Sequence, residues 1–228
     1  MIIVCACIKG GPGKSCLAQN LAVWLKNQHG INVLLVDADP QETSSDWIQS
    51  RRETGKYPDI RFAKMTGDIR ADLLEQENHF GAVVVDTGGH DSQTMRSAMT
   101  AATHVLVPFR PKRRDLKVLP AMAELVTLIK TVNPDCEFRS VINQARSLPS
   151  QVSRAVDAKN VCNDFDLPAL STILYDRNIY DDADESGGSI FEVGKDQKAR
   201  NEFNAMAEEL LGLRQPAQDE KPVQEALL

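Results

Sequence analysis

Three short clusters in this chain carry side chains suited to phosphate and metal chemistry. The first is Lys9-Gly10-Gly11-Pro12-Gly13-Lys14-Ser15. Glycines lack a Cβ, so successive backbone N–H groups can converge on an anion, and a helix that begins where the loop ends adds the partial positive charge of its N-terminus at the same spot. Residues Gly10, Gly11, Pro12, Gly13, Lys14, Ser15 and Cys16 then form a nucleotide cradle. In it the Lys14 ammonium reaches the β- and γ-phosphates, and the Ser15 hydroxyl is a ligand for Mg²⁺. The second cluster is Asp37-Ala38-Asp39-Pro40-Gln41, and the third is the apolar run Ala82-Val83-Val84-Val85 ending in Asp86, followed by Thr87-Gly88-Gly89. Phosphoryl transfer depends on positioning and electrostatics around a metal, which gives Asp86 a role in holding Mg²⁺, directly or through water. Taken alone, the second cluster reads equally well as an acidic turn that opens a helix capped by Thr43, Ser44 or Ser45.

The surrounding elements place these clusters at one edge of a sheet. The apolar run Ile2 to Cys7 predicts a strand directly before the glycine loop, with Cys5 and Cys7 on the same face. Leu17, Leu21 and Leu25 with Ala18 and Ala22 give the buried stripe of a helix ending near Gly30. Val33 to Val36 is a continuous apolar run of the kind found in strands buried on both faces of a parallel sheet, and it delivers Asp37 and Asp39 to its C-terminal end, where open α/β sheets bind ligands. Further strands are predicted at 60–63, 82–86, 105–108, 138–143 and 170–174. Helices are predicted from Trp47 with Arg51 and Arg52 solvated, over 68–77, over 116–131 with Pro120 in its first turns or bending it, over 150–165 with Val152, Val156 and Val161 buried, and over 199–213 with Phe203, Met206, Leu210 and Leu211 on one face. The pattern is α/β, a doubly wound, mainly parallel sheet of about seven strands, in one domain spanning 1–213 with an acidic, disordered tail over 214–228.

Composition narrows the function classes. Lys plus Arg number 26 against 32 Asp plus Glu, a net charge of −6, so the chain is no basic nucleic-acid coat, and any DNA contact must come from a local patch. The densest such patch is Arg110, Lys112, Arg113, Arg114 and Lys117. Positive charge at the start of a helix opposes the helix dipole, so the patch reads either as a solvated loop or, through Arg113 and Arg114, as a contact to phosphates or to a second subunit. The five cysteines show no metal-ligand spacing and read as small buried hydrophobes of a reducing, cytoplasmic protein; no signal peptide or membrane span is expected.

The loop departs from the general phosphate-loop pattern in having Ile8 where that pattern has glycine, and in carrying Lys9. A Lys-Gly-Gly-x-Gly-Lys-Ser loop, an Asp-x-Asp-Pro-Gln string and a strand ending in Asp, in this order, resemble the deviant Walker A ATPases of the ParA/MinD family. The resemblance covers most of residues 1–213 and implies the P-loop ATPase fold, ATP and Mg²⁺ as cofactors, and a nucleotide-sandwich homodimer in which Lys9 reaches the phosphates held by the other subunit. It also implies that Asp39 positions the attacking water, that Asp37 touches the water shell of the metal, and that Asn143 lies near the adenine. Arg177-Asn178-Ile179-Tyr180, followed by Gly187-Gly188-Ser189-Ile190-Phe191-Glu192, is similar to the C-terminal part of partition ATPases, which makes Arg177 a DNA-binding candidate; pairing with Asp176 or Asp181 is the other reading of that residue. The implied function is that of a short ParA-type partition protein, without an N-terminal DNA-binding domain, that cycles between an ATP-bound dimer on non-specific DNA at the nucleoid and a free ADP form, its hydrolysis stimulated by a small ParB-like partner. A MinD-like membrane-cycling ATPase is the rival, disfavoured by Asp219, Glu220 and Glu225 near the C-terminus. A metabolic P-loop ligase would not ordinarily carry Lys9, and an iron–sulfur reductase relative would need a cysteine pair that is missing.

Overall fold

The computed structural model describes residues 1–213, so the tail expected over 214–228 lies outside the described residues. Seven strands form one sheet: β1 (Ile2–Cys5), β2 (Val33–Ala38), β3 (Arg61–Lys64), β4 (Ala82–Thr87), β5 (His104–Phe109), β6 (Glu137–Ala145) and β7 (Ala169–Tyr175). Their order is β3-β2-β4-β1-β5-β6-β7, and every pairing is parallel. The sheet is therefore entirely parallel, and every connection between strands has to cross a face. The crossovers are α1 (Lys14–His29), α2 (Thr43–Thr54), α3 (Arg70–Glu77), α4 (Gln93–Ala101), α5 (Arg113–Leu116), α6 (Leu119–Val132) and α7 (Pro149–Asp164), with α8 (Asn178–Glu185) and α9 (Gln197–Leu210) after the last strand.

Alternation along the buried strands divides the core in two. Ile3, Leu35 and Val84 point to the face covered by α1, α2 and α9 through Leu17, Trp47 and Phe203. Ile2, Val36 and Val85 point to the face covered by α3, α4, α6 and α7 through Leu73, Met95, Met122 and Ala158. Because β1 lies between β4 and β5, the strand order reverses there, and the crevice at the C-terminal ends of these strands is the expected ligand position.

Several expectations are corrected. Arg51 is not solvated. Its side chain is 1% exposed and paired with Glu192, and its guanidinium carbon lies 5.1 and 5.2 Å from the ring centroids of Trp47 and Tyr57; Arg52 is the solvent-exposed neighbour. The helix expected from Leu116 is two helices. Pro120, which has no N–H to donate, starts α6 in its first turn, and the chain breaks at Lys117 and Val118. On α7 the small residues Ala155, Ala158 and Cys162 face the sheet, sharing a cluster with the bulky Phe138 and Ile142 of β6, while Val152 and Val156 are 37% and 45% exposed. Cys5 and Cys7 lie in opposite layers of the core because β1 ends at Cys5 and strict alternation ends with it.

Candidate functional site

Strand register brings the three chemical clusters together. Cys5 of β1 pairs with Asp86 of β4, and Asp86 pairs with Asp37 of β2, so the glycine loop and both acidic turns leave the sheet from one row. They line a cavity of about 550 Å³ at the C-terminal edge of the strands.

The loop is built around Gly13, the residue before α1. Its φ of 94° is left-handed, and a Cβ there would lie 2.5 Å from the Asn143 Nδ2, so glycine is required twice over. Asn143 donates from that nitrogen to the Pro12 carbonyl at 2.8 Å and accepts from the Gln144 N–H at 2.9 Å. Its carboxamide therefore braces the loop from β6, at the wall of the cavity. Lys14 is buried and curls back over the loop, its Nζ 3.3 Å from the Lys9 carbonyl. Burial and the carboxylates of Asp184 and Asp181 push the Cys16 thiol up to about 12, which keeps it neutral.

Lys9 has a different address. Its ammonium donates to the Asp115 carboxylate and to the Arg114 carbonyl, both on α5, and Arg110 donates to the other Asp115 oxygen at 2.7 Å. Burial alone would raise Asp115, but hydrogen bonds from Lys9 and Arg110 outweigh it and hold this carboxyl below its usual range. The Arg110 guanidinium also lies beside Gly11, where a Cβ would be 3.4 Å from its nearest nitrogen.

Behind the loop, Asp86 is fully buried. Its Oδ2 accepts from the Ser44 hydroxyl at 2.8 Å, while Oδ1 has no hydrogen-bond partner among the described residues. Burial raises this carboxyl to about 7, and the Ser44 and Ser15 hydroxyls counter part of the rise. An orphaned buried carboxylate oxygen next to Ser15 fits a cation or its bound water: Ser15 and Asp86 are the residues that would hold Mg²⁺. Asp37 is engaged otherwise. Its Oδ2 accepts from the Ser45 N–H and hydroxyl at 2.8 and 2.6 Å, and its Oδ1 from the Asp39 N–H at 3.1 Å, so it ties the start of α2 to the turn. Asp39 lines the cavity, half-buried, with one oxygen accepting from the Gln41 N–H at 2.9 Å. The glycines after Asp86 press on the loop, since a Cβ on Gly89 would lie 2.8 Å from the Gly10 backbone.

At the far end of the cavity stand Tyr175, Tyr180 and Arg177. Arg177 pairs with Glu202 and, at 3.8 Å, with Asp196, rather than with Asp176 or Asp181. Its guanidinium is thus committed to two carboxylates. Arg113 and Arg114 are exposed on α5. The sequence marks Ser44 and Ser45 only as possible helix caps; in the structure Glu42 precedes α2, and the two serine hydroxyls donate to the buried acids Asp86 and Asp37. Tyr180, in the sequence only the end of the Arg177-Asn178-Ile179-Tyr180 string, has a buried hydroxyl with no partner among the described residues.

The comparisons agree with this geometry. Residues 3–204 match the family model described as the CobQ/CobB/MinD/ParA nucleotide binding domain. The chain is similar to maintenance of carboxysome distribution protein A from Halothiobacillus neapolitanus, 27% identical over 206 residues that cover 90% of this chain and 93% of the relative. It is also similar to the protein of that name from Gloeobacter kilaueensis, 31% identical over 205 residues that cover 89% and 90%. Among solved structures, an ATP complex of a McdA variant from Cyanothece superposes with a TM-score of 0.73 over 95% of this chain and 98% of its own; at 16% identity, that likeness concerns the fold. With the loop, the two acidic turns and the family model in agreement along nearly the whole described chain, this protein belongs to the CobQ/CobB/MinD/ParA family of nucleotide-binding domains.

Proposed function

We propose that this chain is an ATP-hydrolysing positioning ATPase. It forms a dimer on binding ATP, the dimer associates with DNA irrespective of sequence, and a small partner protein stimulates hydrolysis and release. The observation that carries this reading is the separation of the two lysines. Lys14 is buried in its own loop, whereas Lys9 is turned to Asp115 on α5, and in the proposed dimer it would exchange that carboxylate for the phosphates held by the other subunit. Mg²⁺, when bound, neutralises charge on the terminal phosphates. The chain itself supplies the rest: loop amides and Lys14 hold the phosphates, Ser15 and Asp86 hold the cation, and Asp39 orients the attacking water. Relatives named for carboxysome distribution match 90% and 89% of the chain, which favours a large protein body over a plasmid as the cargo.

The test is fluorescence anisotropy of labelled duplex DNA with the Asp39→Ala variant, in ATP, in ADP and without nucleotide, over a salt titration. With a net charge of −6, a monomer binds DNA poorly, so binding should require ATP. Log K should fall with log salt by ~0.9 for each phosphate neutralised. Lys14→Ala should abolish nucleotide binding and with it the DNA signal. If the Asp39→Ala protein binds ATP but shows no ATP-dependent anisotropy at low salt, the protein joins the metabolic members of the family instead.

A further inference from the structure

A concavity of about 600 Å³ lies between α5 and α7 and shares no lining residue with the nucleotide cavity. Its floor is aliphatic: Pro111, Leu116 and Val161 are half-buried, and Ala158 is buried. Its rim is basic: Lys112, Arg113, Lys117 and Arg154 are all exposed, against the single carboxylate of Asp157. On a chain whose net charge is −6, four cations around one groove run against the overall charge balance. None of the four takes part in a salt bridge among the described residues.

The combination selects the occupant. A duplex offers phosphates on a convex, polar surface and would leave the aliphatic floor uncovered, whereas an amphipathic segment rich in Asp or Glu covers the floor with its apolar side chains and meets the rim with its carboxylates. We propose that this groove is a docking site for an acidic amphipathic segment of a partner protein. The groove is linked to the nucleotide site through α5. Arg113, Leu116 and Lys117 line it, while Arg114 and Asp115 between them hold Lys9, so the occupant sits on the four-residue helix that positions this lysine.

The experiment uses the full chain and a short fluorescein-labelled peptide made of Glu, Leu and Ala with its leucines at helical spacing. Two control peptides replace every Glu by Lys or every Leu by Gln. The Glu/Leu peptide should bind saturably, and the double variant Lys117→Glu with Arg154→Glu should weaken it by about tenfold or more, because exposed cations turned into anions repel the peptide's carboxylates. Arg70→Glu, an exposed charge change on α3, should leave binding unaltered, and neither control peptide should bind. Equal binding of the Gln peptide would mean a charged surface without an apolar site and overturn the proposal. So would absence of saturable binding. Loss of duplex DNA binding in the double variant, with the Glu/Leu peptide unaffected, would give the groove to DNA. Self-association of the wild-type chain that the double variant abolishes would give it to a second copy.

Discussion

Replacing Arg51 by Met tests how firmly the far end of α2 is anchored. Arg51 is 1% exposed and Glu192 8%; two hydrogen bonds join them, Nη2 to Oε1 at 2.6 Å and Nη1 to Oε2 at 2.9 Å. Arg51 also donates to the carbonyls of Pro58 and Gly187, each at 2.9 Å, and the backbone at Gly187 passes so close to Arg51 that no side chain fits there. Methionine keeps part of the stem but removes every donor. Glu192 then keeps only the hydroxyl of Ser189 and a long contact from Asn27, and removing one member of a buried ion pair costs about 3–5 kcal/mol because the other charge stays buried. Against a total stability of about 5–15 kcal/mol, that is a large share. Removing both charges, in Arg51→Met with Glu192→Leu, should recover much of the loss, since neither ion then needs solvating. Urea unfolding followed by circular dichroism gives the midpoints, with the slope expected to stay constant. A single-variant loss below about 1 kcal/mol, the range of a surface pair, would refute the buried-pair reasoning.

Two further substitutions act at the site itself. Lys9→Ala leaves Asp115 paired with Arg110, so melting should stay close to that of the wild type while ATP-dependent dimerisation, read by light scattering, is lost; a normal ATP dimer would refute the role given to Lys9. Ser44→Ala removes the hydroxyl that Asp86 accepts from and leaves both carboxylate oxygens without a hydrogen bond from α2, which should destabilise the chain by about 1–3 kcal/mol and weaken Mg²⁺-dependent nucleotide affinity; calorimetry showing neither would refute the bracing role of α2.

The layout of the sheet was legible because its strands are buried on both faces. Val33 to Val36 and Ala82 to Val85 are continuous apolar runs, and the alternating glycine loop, helix and strand leave few topologies open. The boundaries that failed are those where local pattern and tertiary packing disagree. A helix stripe containing Val152 and Val156 looks apolar in sequence, yet the alanines and a cysteine beside them allow a closer approach to β6, and packing chose that face. Arg51 failed for a related reason: its charge predicts solvent, and its partner lies 141 residues further along the chain.

The same division runs through the site. The phosphate end is local, since Gly13, Lys14 and Ser15 are consecutive, and their chemistry follows from spacing alone. Their supports are not: Asn143 reaches Pro12 from 131 residues away, Asp115 reaches Lys9 from 106, and Ser44 reaches Asp86 across 42. Asn143 was legible as a residue of the nucleotide site only through a family resemblance, and the structure places its amide on the loop carbonyl, where a donor is needed to hold Pro12 and where only a glycine at position 13 leaves it room. The opposite end of the cavity gathers Tyr175 from β7, Arg177 from the turn after it and Tyr180 from α8, three residues whose types announce no shared chemistry until the parallel sheet sets them on the cavity that the loop also lines. Short-range motifs thus identify what the site can bind, while the residues that hold those motifs in shape follow from the strand order, with β1 placed between β4 and β5.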